Sequence, residues 1–231
     1  MEKQPLTARE KRKKALQASI LTALFAALAF GVSVVLHFPV QFLTLDFKDA
    51  IIAVGAMFLG PISALVMSAI AALLEFITIS GTGPYGLIMN FVASASFSFA
   101  AALVYKYRKT FSGAIIALVS GIFSMTAMMM LANLIVTPIY TGMPVASVAQ
   151  MIPTLLLPFN LIKASLNASL VALLYKPLTA GVGRIFPDLR PRTPLRPSRK
   201  SLFLALGAVA VIVAALLVLF FVFEAKIVFG K

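Results

Sequence analysis

What constrains this chain most is the recurrence of apolar runs long enough to cross a bilayer. A helix rising ~1.5 Å per residue needs roughly 20 residues to span a ~30 Å hydrocarbon core. Several stretches approach or exceed that length, among them the first run, which contains TALFAALAF, and the run PFNLIKASLNASLVALLYK at 158–176. Hydrophobic residues make up 61% of the 231, charged residues 12%, and the mean hydropathy is +1.03, which excludes a water-soluble globular domain. Runs of this kind also exclude a β-barrel. The composition predicts an all-α integral membrane protein.

The charges are placed as membrane topology requires. Lys and Arg number 20 against 7 Asp and Glu, a net charge of +13. They lie between apolar runs: Lys11, Arg12, Lys13 and Lys14 before the first, Lys106, Arg108 and Lys109 between later ones, and a third set from Lys176 to Lys200 before the last. This positive-inside pattern predicts a multi-pass protein of the plasma membrane with a cytoplasmic N-terminus and basic segments against anionic lipid headgroups. Nucleic acid is not the expected partner. The first run has no clear small-x-small cleavage site and is followed by further spans, so no removable signal is expected. With no cysteine and the single His37, disulfides, thiol chemistry, thiolate metal sites and histidine metal clusters are all excluded.

Periodicity and breakers predict helices at about 16–36, 49–60, 62–79, from the Gly-rich turn at 80–86 to about 105, 112–136, and a sixth ending near 175. The second is short for a span, and Gly60-Pro61 separates it from the third. HFPVQFLTLDFKD, with Pro39, reads as an irregular outer loop, TPIYTGMPVAS as another, and the apolar stretch from about 146 as a short surface helix. The expected organisation is a basic arm at 1–14, a six-helix membrane domain at 15–177, a Pro- and Arg-rich linker at 178–200, and an appended transmembrane helix, about 201–223, within 201–231. No internal repeat and no phosphate-cradling Gly-Lys-Ser/Thr loop is evident, so the chain is not expected to hydrolyse ATP by itself.

Polar residues inside such runs need a reason, because a cation in a span costs several kcal/mol and ordinarily faces a cavity or a partner. Asn160, Lys163 and Asn167, spaced i, i+3, i+7, share one helix face. Lys163 sits ~20 Å from the inner boundary set by Lys176, below the outer surface. Asn133 and Tyr140, Glu75, Asn90, and the loop residues Asp46, Lys48 and Asp49 all fall toward the same outer end. Together they predict a pocket open to the outside rather than a continuous polar path. Any single asparagine could equally bridge two helices, and the carboxylates could pair with either lysine. Amides and one ammonium set among Phe38, Phe42, Phe47, Phe159 and Tyr140 suit a flat, largely uncharged molecule with carbonyls and ring nitrogens. Ala15, Ser19, Ala23 and Ala27 recur every four residues as a small-residue ridge, fit for a partner subunit or for packing inside the bundle.

Taken in order, TALFAALAF, FLTLDFKD, GAMFLGPISAL, TGPYGLIMNFVASASF, Asn133 and PFNLIKASLNASL resemble the riboflavin-binding S-component of energy-coupling factor (ECF) transporters over roughly residues 15–177. The resemblance implies a six-helix S-component bundle that captures riboflavin from outside, with riboflavin as transported ligand and no cofactor. It implies docking on a transmembrane coupling subunit that works with two ATPase subunits, and toppling of the S-component in the membrane. Residue by residue it implies ligand contacts from Asn133, Asn160 and Lys163, cover from Phe42, Leu43, Thr44 and Asp46, and partner contact through Ala23 and Ala27. Position 160 can be aspartate in the family. The appended helix departs from the pattern. The alternatives are an S-component for thiamine, pantothenate or a similar vitamin, and an intramembrane enzyme. The enzyme is disfavoured because no span offers a nucleophile with a base, or a metal-ligand set.

Overall fold

In the computed structural model, which describes residues 7–185 and 199–221, helix α1 (Ala8–Val35) opens on a capping box. Thr7 accepts the amide of Glu10, and the Glu10 carboxylate reaches back to the amide of Thr7. The buried face of α1 is Leu21, Thr22, Phe25, Ala26, Ala29 and Ser33. The ridge Ala15, Ser19, Ala23 and Ala27 therefore faces outward and is not spent on packing inside the bundle.

The segment expected to be an irregular loop is instead an antiparallel hairpin, β1 (His37–Val40) and β2 (Leu43–Asp46), with Val40 opposite Leu43 across a two-residue turn. The alternation of polar and apolar residues there is the strand period. Pro39 is tolerated because both strands of a two-stranded sheet are edges. Gln41 turns the chain at φ 54.

Helix α2 (Lys48–Leu59) is only 12 residues, ~18 Å, and does not cross a bilayer by length. It lies at the centre, packed against α1, α3, α4 and α7 and buried along most of its length. Gly60, at φ 105, reverses the chain, and Pro61 starts α3 (Pro61–Thr78), where a missing amide costs nothing. Helices α4 (Gly83–Tyr107) and α5 (Phe111–Thr141) form an extensive pair. Helix α5 continues five residues beyond the end expected from Thr137-Pro138, with Pro138 inside it. Helix α6 (Val145–Met151) passes through a π-helical turn (Ile152–Leu156) into α7 (Leu157–Ile185), which runs through Pro177 into the segment expected to be linker. Prolines inside membrane helices are tolerated where neighbouring groups satisfy the freed carbonyls. Helix α8 (Arg199–Phe221) packs on α7. The expected arm residues 1–6, the linker at 186–198 and the tail from 222 lie outside the described residues.

Five described segments are long and apolar enough to cross a membrane: α1, α3, α4, α5 and the continuous stretch from α6 into α7. The protein is a multi-pass all-α membrane protein. Its main core joins Phe25, Met67, Phe97 and Met125 through many buried alanines. Far from the hairpin, the Tyr105 and Tyr175 hydroxyls hydrogen-bond and pin α4 to α7.

Packing around α2 is tight at Gly55, where an added Cβ would lie 2.8 Å from Phe25 Cγ and 3.0 Å from Met67 Sδ. Gly55→Leu is expected to lower stability by about 1–3 kcal/mol, read as a lower thermal midpoint in detergent.

Candidate functional site

A two-stranded hairpin has unpaired edges, whose polar groups need partners where they pack against the bundle. Thr44 and Asp46, two residues apart in β2, offer their carbonyls off that edge. Lys163 Nζ donates to Thr44 O at 3.1 Å, and Asn167 Nδ2 donates to Asp46 O at 3.0 Å. Two strand residues advance ~6.6 Å and four helix residues ~6 Å, so the i, i+4 pair on α7 matches the strand edge. Asn167 does more. Its Oδ1 accepts the amide of Ala50 at 2.8 Å, in the first turn of α2, whose own N-cap residue, Phe47, makes no side-chain cap bond. Of the two roles open to an asparagine in a span, Asn167 has the bridging one: it is fully buried and joins α2, α7 and the hairpin.

The ionic pairings left open by the sequence form a chain. Lys163 Nζ lies 2.9 Å from Asp46 Oδ2, and Lys48 Nζ lies 3.4 Å from the same oxygen. Lys48 also donates to both oxygens of Glu75, at 2.8 and 2.6 Å, and Asn90 Nδ2 donates to Glu75 Oε2 at 2.8 Å. Asp49 is held by the Ser94 hydroxyl. Each of these five ionisable side chains is at least nine-tenths buried. Pairing makes such burial tolerable, although Asp46 Oδ1 and Asp49 Oδ2 are buried without a hydrogen-bond partner, and removing one partner of a buried pair costs about 3–5 kcal/mol.

Beside this chain lies a cavity in two lobes that share Phe42, Leu43, Thr44, Thr82, Asn90 and Tyr140. The first lobe, about 100 Å³, brings together six of the residues expected at a ligand: Phe42, Leu43, Thr44, Asn133, Asn160 and Lys163. Asp46 lies instead on the second lobe, about 330 Å³, with Lys48, Glu75, His37 and the small polar residues Ser80 and Thr82. Among the described residues, no Asp or Glu lines the first lobe. Sequence reasoning missed Tyr85, Met89, Met129 and Thr137 on its wall. Thr137 was within reach, being i+4 from Asn133 and donating to its Oδ1 at 2.9 Å.

The hydrogen-bond capacity left over defines what the first lobe can hold. Asn160 donates to Leu156 O at 2.8 Å, but its Oδ1 is buried with no partner. Asn133 Nδ2 donates to Met129 O at 2.7 Å, which leaves its second N–H. Lys163 spends two of its three N–H donors, on Thr44 and Asp46. The wall thus offers the Asn160 oxygen as an acceptor and N–H donors from Asn133 and Lys163, together with the Tyr85 and Tyr140 hydroxyls and Asn90, among aromatic and methionine side chains.

Comparison with known proteins matches residues 14–175 to the family model described as ECF transporter, substrate-specific component. The chain is 28% identical over 187 residues to the riboflavin transporter RibU of Staphylococcus aureus (strain TCH60), covering 76% of this chain and 95% of that one. It is 25% identical over 170 residues to the riboflavin transporter FmnP of Bacillus subtilis (strain 168), covering 68% and 88%. A solved structure described as the S component of a bacterial ECF transporter superposes with a TM-score of 0.62 at 28% identity, covering 73% of this chain and 98% of that one.

Replacing Asn167 by alanine strands both the Asp46 carbonyl and the Ala50 amide. The expected loss is about 2–5 kcal/mol of stability, measured by thermal unfolding of the purified protein. A loss below about 1 kcal/mol would show that the strand edge finds other partners.

Proposed function

The chain belongs to the family of ECF transporter substrate-specific components, and from that premise we propose that it is the riboflavin-binding subunit of an ATP-driven vitamin importer. The observation that carries the ligand is the unspent capacity of the first lobe. An imide edge presents carbonyl, N–H and carbonyl, and a flavin ring carries one. The free Asn160 Oδ1 suits the N–H, while the remaining donors of Lys163 and Asn133 suit the carbonyls. Phe42, Tyr85, Tyr140 and Phe159 supply flat apolar wall for the fused rings. The second lobe, with its small polar side chains, takes the hydroxylated chain.

The competing vitamins fit less well. Thiamine is a cation, and the first lobe has an ammonium and no carboxylate on its wall. Pantothenate is an anion, and the charge of Lys163 is already matched by Asp46 at 2.9 Å. Riboflavin is cargo in this reading, not a cofactor, and the chain performs no chemistry on it.

The partners follow from the same reading. The cavity opens to the outside, the N-terminus is cytoplasmic, and the protein sits in the plasma membrane among lipids. A transmembrane coupling subunit docks on α1, with two ATPase subunits behind it. The outward ridge supports this: Ala23 and Ser19 line a shallow groove with Ile62, Ser63 and Val66 of α3, and Ala27 is exposed one turn further along. Small residues on both helices let a partner helix approach closely.

Titration of the purified protein with riboflavin, followed by flavin fluorescence quenching, tests the ligand. Tight binding is expected for the wild type. Lys163→Ala should weaken it by at least about tenfold, since a charged hydrogen bond is worth about 1.5–3 kcal/mol. A wild type indifferent to riboflavin would overturn the reading. Docking is tested separately: Ala23→Leu with Ala27→Leu is expected to leave riboflavin affinity within about threefold while abolishing co-purification with the coupling subunit.

A further inference from the structure

The family match ends at residue 175, and α8 begins at Arg199. On α8 the buried residues are Ala208 and Ala215, with Ile212 between them, so one stripe at i, i+4, i+7 faces the bundle. Leu206, Val213 and Leu217 face outward. Alanines in the stripe let the α7 and α8 axes approach closely.

The face of α7 that shares this contact is Phe159, Ile162 and Leu166, spaced i, i+3, i+7. It is one residue, about 100° of helical turn, from Asn160, Lys163 and Asn167. Helix α8 therefore lies directly beside the stripe that holds the hairpin edge. The same apolar cluster takes in Ile212, Ala215 and Leu216 of α8 and Val40, Leu43 and Leu45 of the hairpin. Phe159, 3% exposed, belongs both to this cluster and to the wall of the first lobe.

A two-stranded hairpin is marginal on its own, so its closed position depends on what it packs against. The polar stripe of α7 fixes its edge. The apolar cluster fixes its face. We propose that α8 is a built-in brace, in which Ile212, Ala215 and Leu216 act as positioning residues that hold Phe159 and the hairpin closed and so slow ligand release. Only the ligand part rests on the riboflavin reading. In this proposal a ligand beneath the hairpin leaves when the hairpin opens, and affinity differences between related complexes lie mostly in the dissociation rate.

The test uses the full chain in lipid nanodiscs and two readouts: hydrogen–deuterium exchange of residues 37–46 without ligand, and the riboflavin dissociation rate. Ala215→Trp wedges the helices apart, Leu216→Ala removes contact without a wedge, and Leu217→Trp, on the outward face, is the control. Hairpin exchange and riboflavin release are each expected to rise about tenfold in Ala215→Trp. They should rise by less in Leu216→Ala and not in the control, with exchange in α4 and α5 unchanged. Exchange and release in both α8 variants equal to the control would overturn the brace. A wild type that binds no riboflavin would sink the ligand reading alone, because hairpin exchange still decides the role of α8.

Discussion

Much of this structure follows from one requirement: the free edge of β2 must find hydrogen-bond donors where it packs against the bundle. Helix α7 supplies them, with Lys163 and Asn167 meeting Thr44 and Asp46 at a spacing that strand and helix share. Each donor brings a second obligation. The ammonium needs a counter-charge and takes Asp46, the residue whose carbonyl Asn167 already holds. The Asn167 amide has an oxygen left over, and that oxygen caps the first turn of α2. Hairpin, α2 and α7 thus become one unit, and Lys48 extends it through Glu75 to α3 and through Asn90 to α4.

The same network explains how a pocket can be polar without being unstable. Most groups committed to structure are paired with one another, Asp46 Oδ1 and Asp49 Oδ2 being exceptions, and the first lobe keeps an amide oxygen at Asn160, an N–H at Asn133 and an N–H at Lys163 for a ligand. A ligand that brings the complementary imide edge completes the set. A ligand with a formal charge meets partners already neutralised. Specificity of this kind comes from unpaired polar groups that only the right molecule can match.

The membrane class, most helices and the gathering of the polar residues at one end of the bundle were legible because they rest on local signals: apolar runs, Gly-Pro breakers, and polar residues at i, i+3, i+7. Where the sequence misled, the deciding contact lay elsewhere in the chain. Pro39 suggested an irregular loop in a segment whose alternation is that of a hairpin, and the edge that hairpin leaves is satisfied by α7, over a hundred residues away. Thr137-Pro138 reads as a helix end, yet α5 continues to Thr141. Asn167 shares a face with Lys163, which sequence cannot distinguish from lining a ligand, since its partners Ala50 and Asp46 are set by folding. The ridge on α1 had two readings until the buried face Leu21–Phe25–Ala29 showed that the alanines Ala23 and Ala27 point away from the core.

Division of labour along α7 is the thread that joins these points: one face carries the hairpin edge and the pocket, and the neighbouring face carries α8. The most direct measurement is an experimental structure of the protein with riboflavin bound. The imide nitrogen of the ring is expected about 2.7–3.2 Å from Asn160 Oδ1, with the Lys163–Asp46 pair and the Lys163–Thr44 contact still made. A ring bound away from Asn160, or a Lys163 that leaves Asp46 to reach the ligand, would contradict this placement.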